Sequence, residues 1–361
     1  MSNRLAAIRT WLQTEISPLA NDLDYQPEAL KIALQSMGDR NASHQQSSLL
    51  ALKVSTKLGG ADFAELDYRH LQILMARSSG ALTFLQSQHQ SAAIMLAKSS
   101  NKILQADLFP DVTSGNILVG VGFSHLRRLG YPMMTATETE NGYLLSGEVP
   151  WITGYSFFNY FICGAILPDK RELYGILPFE NQLHSQGSIT FSQPLELMAM
   201  MATNTVSAKI NQWFLPNECL VDIKPSDSIH HSSRQNVLNH GLFALGCAYA
   251  GLDTLAVLEN KKQLDFLQST WRSLYEEVQQ CEQQIMAVVL DAKITYEKKL
   301  KLRIEAINLA QRSTMAAVIA SSGAANYLQS SAARVYREAL LFSVSGQTID
   351  VMRGSLLQLL K

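Results

Sequence analysis

The stretch Gly142-Tyr-Leu-Leu-Ser-Gly-Glu-Val-Pro-Trp-Ile-Thr-Gly, which ends at Gly154, lies near the middle of the 361-residue chain. Its apolar and aromatic residues form a short run bounded by glycines. Similar short runs, separated by turn residues, cover 117–123, 160–167, 173–177 and 205–210. Such runs are typical of β-strands joined by turns. Together they predict a central β region over 111–225.

The segments on either side carry apolar residues at helical spacing. In the first segment, 1–110, Leu5, Ile8, Leu12 and Ile16 would share one face of a helix. After Pro225 the chain has no proline, and its amphipathic stretches are long. Proline-free, periodic sequence of that length is typical of a bundle of long antiparallel helices. The order of the chain is therefore helical, β, helical.

Composition narrows the class of protein. Charged residues make up 17% of the chain, against about 25% in typical soluble domains, so we expect part of the surface to be covered in a homo-oligomer. A formal net charge of -1 indicates neither a nucleic acid nor a membrane as partner. The four cysteines form no C-x-x-C pair, which predicts reduced thiols and no metal site. The N-terminus has no basic-then-apolar signal pattern, so we expect a cytoplasmic protein.

Several segments together resemble the acyl-CoA dehydrogenase superfamily over nearly the whole chain. The stretch 142–153 is similar to its G-Y-x-(L/I)-x-G-x-K-x-W-I-T pattern, with Val149 at the usual lysine. The run 58–63 resembles its turn ahead of the third helical stretch, and 242–252 resembles its small-residue helix. The resemblance implies an α+β, mainly α fold. Its parts would be an N-terminal all-α domain (1–110), a central β-barrel-like domain (111–225) and a C-terminal four-helix bundle (226–361).

The resemblance also implies a flavin cofactor, FAD or alternatively FMN. Trp151 would pack on the flavin ring, and the hydroxyl of Thr153 would reach N5, the atom that receives hydride. An aromatic wall excludes water, and a hydroxyl donor stabilises the charge that develops on reduction. The run Ala320-Ser-Ser-Gly-Ala-Ala-Asn-Tyr is similar to a glycine-rich turn that contacts the FAD of an adjacent subunit. Gly323 and Tyr327 are therefore candidate cofactor contacts.

Two phosphate-facing elements differ from the superfamily. Its T-E-P-x-A-G-S-D run is replaced by Val121-Gly-Phe-Ser-His-Leu-Arg-Arg. The resemblance makes Gly122 and Ser124 candidate cofactor contacts there, and Arg127 and Arg128 candidate substrate or phosphate contacts. The arginine that reaches the neighbouring FAD pyrophosphate is represented by Lys262. Arg337 is expected to be a structural ion-pairing residue.

The usual catalytic acid is missing from the sequence. A dehydrogenase of this superfamily uses a carboxylate to remove the α-proton while the β-hydride goes to flavin N5. The Y-E-G-T run that carries it aligns with Ser345-Gly-Gln-Thr, so Gly346 stands at the glutamate position. The alternative position, near Asn236, has no acid either. The nearest carboxylate is Asp350, on the predicted last helix.

Three functions therefore stay open. The first is an acyl-CoA or other acyl-thioester dehydrogenase that hands its electrons to an acceptor and takes its base from an unexpected position. The second is a flavin-dependent monooxygenase of the same fold, served by a flavin reductase and using His89 or His125 as the catalytic imidazole. The third is a degenerate, non-catalytic paralogue that assembles with an active partner.

Overall fold

The computed structural model describes residues 3–38, 48–184, 187–291 and 293–360. Ser79 and Asn101 set the starts of two N-terminal helices, since each side chain accepts a hydrogen bond from a backbone amide of the first turn. Gly115 ends the last one with a φ of 86°, which suits glycine. The N-terminal helices are α1 Asn3–Trp11, α2 Ala20–Tyr25, α3 Pro27–Ser36, α4 Glu65–Ser78, α5 Gly80–Lys98 and α6 Lys102–Ser114.

The quoted stretch forms a central strand, as predicted. The strands are β1 Val119–Gly122, β2 Met134–Thr139, β3 Gly142–Ile152, β4 Tyr160–Ile166, β5 Glu172–Pro178, β6 Gln182–His184, β7 Gly187–Phe191, β8 Val206–Pro216 and β9 Leu220–Lys224. Their order in the sheet is β6-β7-β8-β3-β2-β4-β5-β9, and β1 pairs in parallel with β4. Gly147 has a φ of 139° beside a register shift in the β3–β8 pairing, and a Cβ there would lie 2.0 Å from the Met133 carbonyl oxygen. Only glycine fits this bend in the central strand.

The C-terminal part is a bundle built around one apolar helix, α8. Its helices are α7 Ser228–Gln235, α8 Asn239–Lys262, α9 Asp265–Val289, α10 Tyr296–Ser321, α11 Ser331–Val344 and α12 Ile349–Gln358. Gly246 and Gly251 let α4 and α10 approach α8 closely, because Cβ atoms there would lie 2.5 Å from the Ala76 Cβ and 2.8 Å from the Thr314 amide nitrogen. α8 is long and apolar enough to cross a membrane, yet 72% of its most apolar window is buried against the protein. It is the core helix of the bundle.

Buried polar contacts join the three parts. Arg337 of α11 pairs at 2.6 Å with the buried Asp24 of α2, which confirms its predicted ion-pairing role. Asp24 also accepts a hydrogen bond from the backbone amide of Met200, in the loop before β8. Glu338, one residue after Arg337, accepts from the Gly80 amide at the start of α5. These contacts fix the N-terminal helices against both the bundle and the β domain.

Candidate functional site

The end of β3 presents an exposed tryptophan beside a buried threonine. Trp151 has 47% of its surface exposed, although a large apolar side chain is normally covered. Ile152, the next residue, points into the core of the β domain, as alternation along a strand requires. Thr153 follows and is buried. An aromatic face and a hydroxyl therefore lie side by side where the quoted stretch leaves the sheet.

The Thr153 hydroxyl belongs to a chain of three hydroxyls. Its Oγ1 lies 3.0 Å from the Thr205 Oγ1, which lies 3.3 Å from the Thr203 Oγ1. Thr203 donates its own proton to the Met200 carbonyl oxygen. Either hydroxyl of the Thr153–Thr205 pair can be the donor. When Thr205 donates to Thr153, the Thr153 proton is available to a ligand.

The run 121–128 divides between the interior of the β domain and its surface. A Cβ at Gly122 would lie 3.0 to 3.2 Å from Phe161, Ile152 and Val149, so the glycine makes room for the β-domain core. Ser124 is exposed and begins a short 3₁₀ turn, Ser124–Arg127. The two candidate arginines diverge within the next few residues.

The guanidinium of Arg127 faces the bundle. Its Nε donates to the Ser233 Oγ of α7 at 2.9 Å, and burial lowers its pKa. Arg128 is exposed, and its contact is with the Met133 sulfur at 3.2 Å. Of these two predicted substrate contacts, only Arg127 lies near the other candidate residues of the bundle.

His89 is fully buried at the seam between α5, α6 and β1. Its Nδ1 accepts from the Val119 amide at 3.0 Å, and its Nε2 donates to the Val112 carbonyl oxygen at 3.0 Å. Both ring nitrogens are thus used by the backbone, and the ring is a neutral imidazole protonated on Nε2. Burial lowers its pKa to about 4. This arrangement favours a structural role for His89.

His125 is also buried, but only one of its ring nitrogens has a partner. Its Nε2 lies 2.9 Å from the Gly164 carbonyl oxygen, and its Nδ1 has no hydrogen-bond partner in the described residues. Burial lowers its pKa to about 4, against the hydrogen bond to Gly164, which raises it. In the described part of the chain, no hydrogen bond or ring contact joins His125 to His89.

The end of the bundle brings Lys262 to the segment that carries the predicted residues Gly323 and Tyr327. The Lys262 Nζ donates to the Ala320 carbonyl oxygen at 2.6 Å, where α10 ends. Gly323 follows in the turn Ser322–Asn326, and a Cβ there would meet no atom within 4 Å. Tyr327 comes directly after the turn and is exposed. Lys262 thus caps a helix beside an open, glycine-containing turn.

Residue 346 faces a histidine that sequence reasoning did not select. Gly346 has a φ of 58°, and a Cβ there would lie 2.4 Å from the Nε2 of His240, at the start of α8. The imidazole therefore fills the space in which a side chain of residue 346 would begin. Its Nδ1 lies 3.0 Å from the Ser345 Oγ. The histidine comes from the same helix start at which the sequence showed no acid.

The surroundings of His240 are positively charged. Arg303 of α10 is 1% exposed and donates to the carbonyl oxygens of Val237 and Ser345 at 3.1 and 2.8 Å. Burial and the charges of Arg303 and Arg127 lower the pKa of His240 to about 3. The imidazole is therefore neutral at physiological pH. Where the resemblance places an anionic base, this chain has a neutral ring beside two cations.

Asp350 does not supply the missing acid to this turn. Its carboxylate accepts from the Tyr296 hydroxyl at 2.7 Å and lies 3.7 Å from the Arg234 guanidinium. Arg234 in turn lies over the Tyr296 ring, 4.1 Å from its centroid. Asp350 is therefore engaged in a cluster of its own between α7, α10 and α12.

Solved structures with the same fold cover the whole chain. Butyryl-CoA dehydrogenase from Megasphaera elsdenii superposes with a TM-score of 0.80 at 14% identity, covering 100% of this chain and 99% of its own. A glutaryl-coenzyme A dehydrogenase in complex with glutaryl-CoA gives 0.82 at 18% identity, covering 99% and 96%. The FAD complex of PigA gives 0.78 at 15%, covering 100% and 98%. Comparison of the sequence with family models and with curated proteins finds no match.

The chain therefore has the acyl-CoA dehydrogenase fold. This confirms the predicted α+β, mainly α class and the resemblance on which it rested. Identities of 14 to 18% establish the fold alone. What the chain does must be argued from its own residues.

Proposed function

We propose that this chain is a flavin-dependent oxidoreductase of small acyl substrates, with FAD as its cofactor. The observation that carries the proposal is the pairing of an exposed Trp151 with the Thr153 hydroxyl at the end of β3. The fold neighbours support it, since they include two acyl-CoA dehydrogenases and one FAD complex. Bound flavin would supply a two-electron acceptor, which no amino-acid side chain offers.

The residues of the chain fit such a ring. Trp151 offers an aromatic face that excludes water from one side. Thr153 can donate to the ring when it accepts from the Thr205 hydroxyl. A donor held by buried neighbours needs no reorganisation when negative charge appears on its ligand. Trp151 and Thr153 would thus hold the flavin and stabilise its reduced form.

Two reactions are compatible with this cofactor site. Dehydrogenation of an acyl thioester moves a hydride to the flavin and requires a group that accepts the α-proton. At residue 346 the available group is the neutral imidazole of His240, which burial and two nearby arginines make a weak base. This electrostatic environment favours the second candidate, a monooxygenase, whose chemistry does not begin with removal of an α-proton by a carboxylate.

A second copy of the chain would complete the flavin site at the end of the bundle. Lys262, Gly323 and Tyr327 lie together there and are open to solvent. The neighbouring positions in the sequence carry exposed apolar side chains, among them Leu264, Phe266, Ile319 and Leu328. We propose a homo-oligomer in which this face is covered. Light scattering of the purified protein measures the oligomeric state directly.

The first experiment is a visible absorption spectrum of the gently purified protein, with mass spectrometry of the released cofactor. We expect the bands of oxidised flavin and the mass of FAD. Trp151→Ala should retain several-fold less flavin, whereas Trp213→Ala, a control on β8, should retain the wild-type amount. A colourless protein that takes up neither oxidised nor reduced flavin would contradict the proposal and favour the degenerate paralogue.

Two assays of the flavin-loaded protein distinguish between the two reactions. Anaerobic bleaching of the flavin by an acyl-CoA, followed by reoxidation with an electron acceptor, would identify a dehydrogenase. Substrate-dependent oxygen consumption with reduced flavin supplied by a reductase would identify a monooxygenase.

A further inference from the structure

The turn after α11 and the start of α8 bring together a polar group of residues, which we call the anion site and define by His240, Arg303, Ser345 and Gly346. The imidazole of His240 occupies the volume next to Gly346, and its Nδ1 contacts the Ser345 hydroxyl. In the described part of the chain no protein group is hydrogen-bonded to its Nε2. One edge of the ring is therefore hydrogen-bonded within the protein, whereas the other keeps its hydrogen-bonding capacity.

The charge of Arg303 has no counterpart in the described residues. Its guanidinium is buried, donates to two backbone carbonyls and keeps an Nε without a hydrogen-bond partner. None of the ion pairs within 4.0 Å in the described ranges includes it. A buried cation is normally balanced by a nearby anion, because transfer of an unpaired charge out of water is strongly unfavourable.

The neighbouring acids are already engaged elsewhere. Asp350 accepts from Tyr296 and lies near Arg234. Glu172 is buried in the β domain and accepts from the Tyr174 hydroxyl and the Ile229 amide. Arg127 is a second cation near His240, and the charge of Glu172 acts on it. The site thus has the unpaired charge of Arg303 and an imidazole edge without a hydrogen bond.

We propose that the anion site binds a carboxylate group of the substrate. The Nε2–H of His240 would donate to one carboxylate oxygen, and Arg303 would supply the compensating charge. A carboxylate suits the site better than a phosphate, because a phosphate has three acceptor oxygens and up to two charges to satisfy. The location beside the reaction centre rests on the proposed function, whereas the binding itself does not.

The contact with the Ser345 hydroxyl allows the tautomer that this role requires. When the Ser345 Oγ donates to the His240 Nδ1, the ring proton lies on Nε2. Burial and nearby Arg303 disfavour protonation of both nitrogens. A neutral imidazole that acts as a hydrogen-bond donor to an anionic oxygen is a known use of a histidine with a lowered pKa.

The test is titration of the purified full-length protein with acetate, followed by nitrogen NMR of histidine side chains labelled with ¹⁵N. We expect a saturable shift of the His240 Nε2 resonance, assigned with His240→Gln. Ser345→Ala should weaken acetate binding about fivefold, as loss of one hydrogen bond predicts. Gly346→Ala, which places a methyl group against Nε2, should abolish binding. His231→Gln, at an exposed position of α7, should leave it unchanged.

Two outcomes would overturn the proposal: a His240 resonance that does not respond to acetate, or equal acetate affinity in wild type and Ser345→Ala. Circular dichroism establishes that each variant is folded, and Ser345→Ala carries the test if Gly346→Ala is not. Flavin content is measured on the same samples. Acetate binding without flavin would contradict the proposed function alone, and flavin without acetate binding would contradict this inference alone.

Discussion

His89 and His240 are both held by hydrogen bonds inside the protein, but they differ in what remains free. His89 joins α5, α6 and β1, and the backbone uses both of its nitrogens. His240 joins α8 to the turn at Ser345 and uses one. A histidine whose two nitrogens are engaged stabilises the fold, whereas one with a free nitrogen can act on a ligand. The number of ring nitrogens without a hydrogen-bond partner in the protein, rather than burial, therefore distinguishes a structural histidine from one that can bind a ligand.

Replacement of His89 should give the largest effect on stability. His89→Ala removes a buried ring and leaves the Val112 carbonyl and the Val119 amide without partners. We expect a loss of about 4 kcal/mol in the free energy of unfolding, from the cavity and the two unsatisfied groups together. Urea denaturation measures it, and His231→Ala, at an exposed position, should change stability by less than about 0.5 kcal/mol.

The comparison fails if His89→Ala is nearly as stable as the wild type but inactive. That result would show that His89 serves the substrate, as the resemblance to monooxygenases predicted.

Gly346→Ala tests the surroundings of His240, the second histidine of the comparison. Alanine at a φ of 58° is strained, and its methyl group would collide with the His240 ring. We expect a destabilisation of about 3 kcal/mol. In the double variant His240→Ala/Gly346→Ala the collision is gone, so that about half of the loss should be recovered, as a double-mutant cycle measures. If the stability losses of the two single variants simply add in the double variant, the His240 ring and a side chain at residue 346 do not compete for the same space.

The features of this molecule that the sequence predicts are those that depend on residues close together along the chain. The run 142–154 carries its own strand pattern, and the absence of proline after Pro225 marks the bundle. The candidate site depends on contacts between distant segments, and periodicity does not report those. His240 and Gly346 are 106 positions apart, and only the structure shows that one fills the space of the other. The available signal was a glycine at an acid position together with a histidine at the start of the small-residue helix.

Acid should destabilise the protein through His89 with a defined sign. Its pKa is about 4 in the folded protein and about 6.5 when unfolded, so the unfolded chain binds more protons between these values. The stabilising contribution is complete above pH 6.5 and is lost as the pH falls towards 4. Between pH 7 and 5 we expect His89 to account for about 2 kcal/mol. His240 and His125 shift in the same direction and add to the total.

A variant without the imidazole isolates the contribution of His89. Between pH 7 and pH 5, the free energy of unfolding of His89→Gln, measured by urea denaturation, should fall by about 2 kcal/mol less than that of the wild type. Equal slopes would mean that His89 is protonated as readily in the folded protein as in the unfolded chain, which its two backbone hydrogen bonds do not allow.

The distinction between engaged and free groups extends to the threonine hydroxyls. Thr203 donates its proton to the Met200 carbonyl oxygen, whereas Thr153 can accept from Thr205 and give its own proton to a ligand. Thr153→Val should therefore weaken flavin binding by about 1 kcal/mol, about fivefold, as expected for one lost hydrogen bond. Thr205→Val removes a neighbour of Thr153 but not its proton, so flavin affinity should stay within about twofold. Fluorescence titration with flavin measures both. Equal losses in the two variants would mean that the hydroxyl chain only supports the loop, because a donor role for Thr153 requires the first variant to be the weaker binder.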